Sequence, residues 1–344
     1  MIQKKIKLLF LKIFIFSTPV LLLLALYLYY DPFRVLRKYD NYEKGCFVSL
    51  NRDFVSNEIY LKKHKEYQYN AYIFGNSRSL AFLCSDWQQY IGANSSPFHY
   101  DASSETLKAL TDKIKYIDST NGKLDNALVI LDRHLLALND YLDGELYKPH
   151  PTLSNTSWFN YHVFYFKAFL AEFYFAKYMD YSLTRTYKPY MKGVIETRPI
   201  DYNAVTNDFF LKVYDEALEK DPQKYIEEHI EFYPARDTAN TKISDAVIGD
   251  KQLYFLNEII KVFLKQKTNF KIIISPPYDQ EYLNKSDLEK LTSIFGKEHV
   301  YDFSGKNEYT RHIENFYESF HYRPKVARDI MQKIYSGENK ILTE

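Results

Sequence analysis

A serine near the first third of the chain stands where geometry could make it a nucleophile. Ser77 closes a tight Gly-Asn-Ser turn, directly after the apolar residues 71–74 and ahead of a helical pattern. At such a place the backbone N–H groups that open a helix point outward and stabilise developing negative charge. The pattern therefore allows Ser77 to attack a carbonyl group. The alternative is that Ser77 only caps a turn.

A carboxylate and a histidine lie close together near the C-terminus. Glu318 stands three residues before His321 in the segment Glu-Ser-Phe-His, just ahead of Pro324. A carboxylate at this spacing can fix the tautomer of an imidazole, and the imidazole can take the proton of a serine hydroxyl. Together with Ser77, these two residues indicate acyl-transfer chemistry. The alternatives are a packed surface histidine and an ordinary solvated acid.

The elements that must position these groups are short, continuously apolar runs that alternate with helical patterns. The apolar runs cover 71–74, 97–100, 127–131, 270–275 and 300–303, and the helical patterns cover 78–90, 103–117, 252–265 and 286–295. Such alternation is typical of a parallel sheet with helices on both faces. We therefore predict an α/β fold with a doubly wound, five-stranded parallel sheet, in which ligands bind at the carboxyl ends of the strands.

The residues at both ends of this predicted domain resemble the SGNH hydrolases, also called GDSL hydrolases. The resemblance is carried by Gly75-Asn76-Ser77 and by Glu318-Ser-Phe-His321, where the family has Gly-Asp-Ser or Gly-Asn-Ser and Asp-x-x-His. It is strongest to the membrane-anchored envelope branch, which includes alginate acetylation proteins and proteins that assist D-alanine transfer to teichoic acids. The resemblance implies an SGNH-like, flavodoxin-like fold, with Ser77 as nucleophile, His321 as base and Glu318 as the group that orients it.

The resemblance also implies a set of residues that form the oxyanion hole and bind substrate. They are Ser77, Asn76, Arg78, Ser104 and Arg133. Three positions depart from the family pattern. Glu318 replaces the family's aspartate, which keeps the carboxylate but lengthens its reach. Ser104 stands where the family has a glycine, and Asp132 follows the third strand where the family has an asparagine. Arg133 or a backbone N–H could take over the missing contribution.

Two functional hypotheses follow from the resemblance and its departures. The first is an O-acetyltransferase or esterase that acts on a cell-envelope polysaccharide through a serine nucleophile. The second is a catalytically weak, glycan-binding accessory module that supports a membrane-bound O-acyltransferase. Neither requires a cofactor, and no cluster of His, Cys and Asp has the spacing of a metal site, so we expect no cofactor and no metal.

The N-terminal residues predict a retained membrane anchor. Residues 8–30 are almost continuously apolar, interrupted only by Lys12, and are long enough to cross a bilayer. Lys4, Lys5 and Lys7 precede this segment, which predicts a single span with a cytoplasmic N-terminus and a main domain that is periplasmic or extracellular. A cleaved signal peptide is the alternative, but the segment does not end in the small residues of a cleavage site.

Charge and cysteine content narrow the function classes further. The chain has 45 Lys and Arg against 44 Asp and Glu, so we do not expect a general nucleic-acid binder. Its two cysteines, Cys46 and Cys84, exclude a disulfide-dense scaffold. In an oxidising compartment these two residues could form a disulfide, and the alternative is two free thiols.

The predicted domain organisation places one large domain after the anchor. We assign 1–7 to a cytoplasmic N-terminus, 8–30 to the anchor, 31–70 to a linker with a first helical segment, and 71–338 to the α/β domain. The third and fourth predicted strands are too far apart in the chain for one crossover. We therefore predict an insertion at 150–245. It includes an aromatic-rich helix at 158–179, which is a plain structural helix, a roof over the site or an element on the membrane surface.

Overall fold

The computed structural model describes residues 2–336 and divides the chain into two units. Residues 2–50 and Ser154–Arg198 form the first, which we call the helical unit. Asn51–Leu153 and residues 199–336 form the second, which we call the sheet unit. The predicted insertion at 150–245 is therefore shared between the two units. Residues 337 and 338 of the predicted α/β domain lie outside the described range.

Five parallel strands form the central sheet of the sheet unit, which confirms the predicted α/β class. They are β1 Ala71–Gly75, β2 Pro97–Asp101, β3 Asn126–Leu131, β4 Asn269–Ile274 and β5 Val300–Asp302. Their order is β2-β1-β3-β4-β5, and every neighbouring pair is parallel. The chain therefore leaves β1 first to one side and then to the other. At such a reversal, the carboxyl ends of the strands leave a crevice where ligands bind.

Helices connect these strands and make up the helical unit. In chain order they are α1 Ile2–Tyr30, α2 Arg52–Tyr67, α3 Cys84–Ile91, α4 Leu107–Ser119, α5 Arg133–Ala137, α6 Pro151–Ser154, α7 Trp158–Leu170, α8 Tyr174–Thr184, α9 Lys212–Lys220, α10 Pro222–Glu228, α11 Asp250–Gln266, α12 Lys285–Phe295, α13 Glu308–Arg311 and α14 Pro324–Ser336. Turns of 3-10 helix cover Ser77–Ala81, Ala171–Phe173, Pro189–Met191, Ile230–Phe232, Lys297–His299 and Ile313–Asn315. Two-residue strands pair Asp201–Tyr202 with Phe209–Phe210 and Lys242–Ile243 with Glu281–Tyr282.

Both faces of β1 are covered, which explains why its sequence is apolar without alternation. Ile73 belongs to a buried cluster with Trp87 of α3 and Ile330 of α14. The neighbouring Tyr72 belongs to the opposite face, because successive strand residues point to opposite sides. There its ring centroid lies 6.1 Å from that of Tyr60 on α2. The sheet is thus enclosed between helices, and its carboxyl edge is left to carry polar groups.

The predicted helix at 78–90 is wrong in one respect, because the chain forms two shorter elements there. A 3-10 turn covers Ser77–Ala81, and Phe82 and Leu83 are extended before α3 begins at Cys84. The start of α3 is fixed from a distance, since the Cys84 amide donates hydrogen bonds to the Asp208 carboxylate at 3.1 and 3.2 Å. Asp208 is 124 residues from Cys84, so the local pattern of apolar residues cannot predict this contact.

The helical unit contains one helix that is long and apolar enough to cross a membrane. It covers Gln3–Tyr30, 28 residues, with a mean hydropathy of 2.4 in its most apolar window. At 1.5 Å per residue this helix is about 42 Å long, more than the roughly 30 Å of a hydrocarbon core. None of that window is buried within the protein, and Phe16 is 79% exposed.

The predicted single helix at 158–179 is broken. It consists of α7 and α8, which meet at the turn Ala171–Phe173. Glu172 and Phe173 have φ values of +47° and +56°, a left-handed conformation that ends an α-helix. Because both residues are ordinary helix-compatible types, the sequence contained no glycine or proline to signal this break.

Candidate active site

The turn that carries Ser77 depends on a glycine and on an asparagine cap. Gly75 has φ +153°, and a Cβ placed on it would lie 2.8 Å from the carbonyl oxygen of Ile130 on β3. Only glycine allows this close approach of β1 to β3. The Asn76 side-chain oxygen then accepts a hydrogen bond from the Arg78 amide at 3.0 Å, which starts the 3-10 turn. Ser77 is thereby placed at the carboxyl end of β1, half-buried.

The loop that carries His321 is closed by its own backbone. Phe316 and Tyr322 form an antiparallel bridge, and the Tyr317 amide donates to the His321 carbonyl oxygen at 2.9 Å. The Tyr233 hydroxyl reaches the carbonyl oxygens of Phe316 and Tyr317, each at 2.8 Å. This tight closure brings a carboxylate and an imidazole that are three residues apart to the same side of the loop.

The structure brings Ser77, His321 and Glu318 together in one hydrogen-bonded chain. The Ser77 Oγ lies 2.8 Å from His321 Nε2, and His321 Nδ1 is hydrogen bonded to Glu318 Oε1. The second carboxylate oxygen of Glu318 accepts a hydrogen bond from the Phe320 amide at 2.7 Å. The side chains of His321 and Glu318 are 37% and 24% exposed, so a substrate can reach this group of hydrogen-bonded side chains. With Nδ1–H donated to Glu318, Nε2 is free to accept the Ser77 proton.

Arg78 links the serine turn to the histidine loop and to the end of β3. Its guanidinium forms an ion pair with Asp132 at 2.8 Å and donates from Nε to the Phe320 carbonyl oxygen at 3.1 Å. Burial alone would raise the pKa of Asp132, but the Arg78 charge and the hydrogen bonds from Leu135, Asn76 and Arg78 together outweigh burial and hold that pKa below its usual range. Asp132 also accepts a hydrogen bond from Asn76 Nδ2 at 2.6 Å. The side chain after β3 thus anchors Asn76 and Arg78.

Two other residues expected at the oxyanion hole have different surroundings. Ser104 lines a small depression with Asp53 and Tyr141, and no hydrogen bond joins it to Ser77 or His321 among residues 2–336. Its φ of +48° is a left-handed conformation that glycine adopts more easily than serine. Arg133 is 43% exposed and lies 3.8 Å from the fully solvated Asp245.

A second Ser-His-Asp chain, which sequence reasoning missed, is buried next to the nucleophile turn. Ser79 Oγ donates to the Asn76 carbonyl oxygen at 2.7 Å and lies 2.9 Å from His99 Nε2, while His99 Nδ1 lies 3.4 Å from Asp208. Because the single Ser79 proton is used on Asn76, His99 Nε2 must donate to Ser79. His99 stands mid-strand in an aromatic run, and only its partners from distant segments reveal it.

A cluster of charges is also buried at the carboxyl end of β2. The Lys113 ammonium, with no exposed surface, lies 3.0 Å from Asp53 and 2.5 Å from Glu105. Burial raises the pKa of Glu105 to about 7, since Lys113 offsets it only in part and Asp53 adds a like charge. Beside it, Arg52 and Asp101 form a bidentate pair at 2.6 and 3.0 Å. These groups pack α2 and α4 against β2.

Both cysteines are free thiols, so the disulfide considered from the sequence is not formed. Each sulfur has its own local surroundings. Cys46 Sγ donates to the Val48 carbonyl oxygen at 3.3 Å within the helical unit. Cys84 is fully buried in the sheet unit, where burial raises the pKa of its thiol well above the usual range.

Comparison with known proteins finds no family model, no curated protein and no solved structure that matches this chain, so its function has to be argued from the site itself.

Proposed function

We propose that the chain is a membrane-anchored serine acyl-transfer enzyme, an O-acetyltransferase or esterase that acts on a cell-envelope polysaccharide. The observation that carries this proposal is the hydrogen-bonded chain from Ser77 through His321 to Glu318. A serine hydroxyl in contact with an oriented imidazole is the arrangement of an activated nucleophile. The partial exposure of His321 leaves the reacting atoms accessible.

In the proposed reaction, Ser77 Oγ forms a bond to the acyl carbonyl carbon while its proton passes to His321 Nε2. The resulting oxyanion collapses, the bond to the leaving hydroxyl breaks, and His321 returns the proton to that hydroxyl. The acyl group is then an ester on Ser77. A sugar hydroxyl, or water in the case of an esterase, gives its proton to His321 and attacks the carbonyl carbon of this ester. The bond between that carbon and Ser77 Oγ then breaks, and His321 returns the proton to Ser77 Oγ. Throughout, Glu318 holds the His321 tautomer and stabilises the imidazolium.

The oxyanion requires hydrogen-bond donors close to Ser77. The Ser77 amide opens the turn Ser77–Ala81, and the first amides of a helical turn have no partner within it. Arg78 adds a positive charge that Asp132 and the Phe320 carbonyl hold in place. We therefore assign the stabilisation of the oxyanion to the Ser77 amide and Arg78, and not to Ser104 or Arg133.

The cellular setting of the proposal comes from α1 and from the resemblance to SGNH hydrolases. The strand order β2-β1-β3-β4-β5 is that of flavodoxin-like sheets, as expected for an SGNH-like fold. Lys4, Lys5 and Lys7 at the start of α1, ahead of its apolar segment, favour a cytoplasmic N-terminus, and the sheet unit would then be in the periplasm or outside the cell. A membrane-bound O-acyltransferase is the proposed source of the acyl group.

One observation favours the second hypothesis, a catalytically weak accessory module that binds glycan. The side-chain amide of Asn76 is engaged by Asp132 at 2.6 Å, and Asp132 itself can offer only acceptors when ionised. The side chain after β3 then donates nothing to an oxyanion, and the Asn76 amide has one of its two hydrogens committed to Asp132, which would leave the site dependent mainly on Ser77 and Arg78.

A covalent serine reagent such as a fluorophosphonate separates the two hypotheses. The full chain in detergent should be labelled at Ser77, and Ser77→Ala and His321→Ala should lose the label. Ser319→Ala is a matched control, because Ser319 lies in the same loop and its amide, which a change to alanine keeps, donates to the Phe232 carbonyl oxygen at 3.1 Å. A folded chain that takes up no label would favour the accessory module.

A further inference from the structure

Three large aromatic side chains are exposed on the part of the helical unit formed by α7, the turn Ala171–Phe173 and α8, which we call the aromatic hairpin. Trp158 is 44% exposed, Phe159 76% and Phe173 73%. The helix α7 has the sequence Trp-Phe-Asn-Tyr-His-Val-Phe-Tyr-Phe-Lys-Ala-Phe-Leu, with one charged residue and no acid. Large aromatic groups that remain exposed in this density mark a surface that meets something other than water.

The inner face of the aromatic hairpin packs on the last turn of α1. The ring centroid of Tyr27 lies 5.5 Å from that of Phe166 and 5.6 Å from that of Phe169. One turn further, Tyr30 lies 6.0 Å from Tyr178. Tyr27 is only 1% exposed as a result, although most of α1 is bare. The hairpin is therefore at the level of the C-terminal end of α1.

Polar groups mark that end of α1 as the place where an apolar helix meets water. The Arg37 guanidinium donates to the carbonyl oxygens of Leu28 and Tyr29 at 2.6 and 2.5 Å, which satisfies the last turn of the helix. The Asp31 carboxylate accepts the amides of Val35 and Leu36 at 2.9 and 3.1 Å. Tyrosines followed by an arginine are typical of a membrane–water boundary.

The apex of the aromatic hairpin presents Phe173 outward in an unusual backbone conformation. Its φ of +56° follows a φ of +47° at Glu172, and left-handed conformations are disfavoured for residues with a side chain of this size. Packing within the helical unit does not account for it, because Phe173 is 73% exposed. Lys167 and Lys177 flank the apex, and their long side chains can keep charge in water while the stems lie on apolar surface.

From these observations we propose that the aromatic hairpin lies in the interfacial layer of the bilayer that α1 spans. Trp158, Phe159 and Phe173 then enter the boundary between headgroups and acyl chains, and Lys167 faces the headgroups. The occupant of the surface is lipid because the surface is continuous with α1, the helix apolar enough to be in the bilayer. The inference rests on the proposed membrane anchoring and adds a second, in-plane attachment to it.

The two tryptophans of the chain allow a direct test in proteoliposomes. Trp87 has no exposed surface, whereas Trp158 lies at the start of α7. The full-length Trp87→Phe variant reports on Trp158 alone, and Trp158→Phe is the matched control that reports on Trp87 alone. In phosphatidylcholine brominated on the upper acyl chain, Trp158 should lose most of its emission relative to unbrominated lipid, and should be shielded from aqueous iodide. Trp87 should respond to neither quencher.

Other occupants give other results. A second copy of the chain or a protein partner would shield Trp158 from iodide without quenching by brominated lipid, and an uncovered surface would leave it open to iodide. Either result would overturn the proposal. Flotation of the same vesicles separates this outcome from failure of the anchor. Chain that floats with the vesicles while Trp158 is not quenched is held by α1 only, whereas chain that does not float has no membrane anchor.

Discussion

The Arg78 guanidinium lies 2.8 Å from the Asp132 carboxylate, and this pair joins the serine turn to the end of the third strand. The two side chains are 18% and 5% exposed, so both are largely removed from water. A charge in this position is stable only with its partner, because removing one member leaves the other buried and uncompensated. The pair therefore explains how an ionised acid is stable directly after β3.

Breaking this pair should lower the stability of the sheet unit. We expect Arg78→Ala to reduce the free energy of unfolding by about 3–5 kcal/mol, the usual cost of an unpaired buried charge. Arg133→Ala, one residue after Asp132, is the control, since its partner Asp245 is 97% exposed and such pairs contribute less than about 1 kcal/mol. Urea unfolding of the full chain in detergent, followed by Trp87 fluorescence, measures both. Equal effects of the two substitutions would contradict the conclusion that Arg78 and Asp132 form a stabilising buried ion pair.

The Ser77, His321 and Glu318 chain should behave as one unit in catalysis. Ser77→Ala and His321→Ala should each lower kcat by more than about a thousandfold, because neither residue works without the other. Glu318→Gln should lower kcat less, since it impairs the orientation of His321 but leaves the base in place. Esterase assays with an activated acyl ester measure these rates, and retained circular dichroism shows that the variants fold. Full activity of Ser77→Ala would rule out a serine mechanism.

The buried hydrogen bonds among Ser79, His99 and Asp208 should stabilise the turn that carries Ser77. Ser79→Ala removes a hydrogen bond to the Asn76 carbonyl oxygen, which we expect to lower the free energy of unfolding by about 1–2 kcal/mol. Because Asn76 starts the turn that carries Ser77, the rate of fluorophosphonate labelling should fall as well, while the site of labelling stays at Ser77. Ser103→Ala, in the half-buried loop after β2, should leave both the stability and the rate unchanged.

Glu105 should make stability depend on pH in a definite window. Its pKa is about 7 in the folded chain and near 4.5 as an ordinary glutamate, so between these values the folded chain holds a proton that the unfolded chain releases. The free energy of unfolding should therefore fall by about 1–3 kcal/mol as the pH rises from 4.5 to 7. In Glu105→Gln this part of the pH dependence should be absent. A slope that is the same in both proteins would show that Glu105 does not titrate in this range.

The five strands were predictable because each is a short and mostly apolar run, and Gly75 and Pro276 end the first and fourth of these runs. The meeting of Ser77 with His321 was also predicted from the residue types, although His321 lies in the loop between Phe316 and Tyr322 and not at the end of a strand. The partners of Asp132 and His99 did not follow. Asp208 lies 109 residues beyond His99 and approaches it through a segment without periodicity. Contacts of that kind depend on how insertions fold back, which no local pattern encodes.

The break between α7 and α8 could not be predicted from the sequence for a related reason. Residues 158–179 read as one apolar helix, and the left-handed pair Glu172 and Phe173 consists of residues that normally favour other conformations. The contacts of α7 and α8 with the end of α1 lie outside this pair of residues, and no local pattern predicts them. In these contacts, aromatic residues of α7 and α8 pack against Tyr27 and Tyr30 of α1.

The closed loop between Phe316 and Tyr322 has a consequence for how the site can be lost or regained. The base and the carboxylate that orients it travel on a single segment of seven residues, while the serine belongs to the rigid edge of the sheet. A displacement of that segment would move His321 and Glu318 away from Ser77 together, and Ser77 itself would stay in place. The position of this one loop therefore decides whether Ser77 has a base within hydrogen-bond distance.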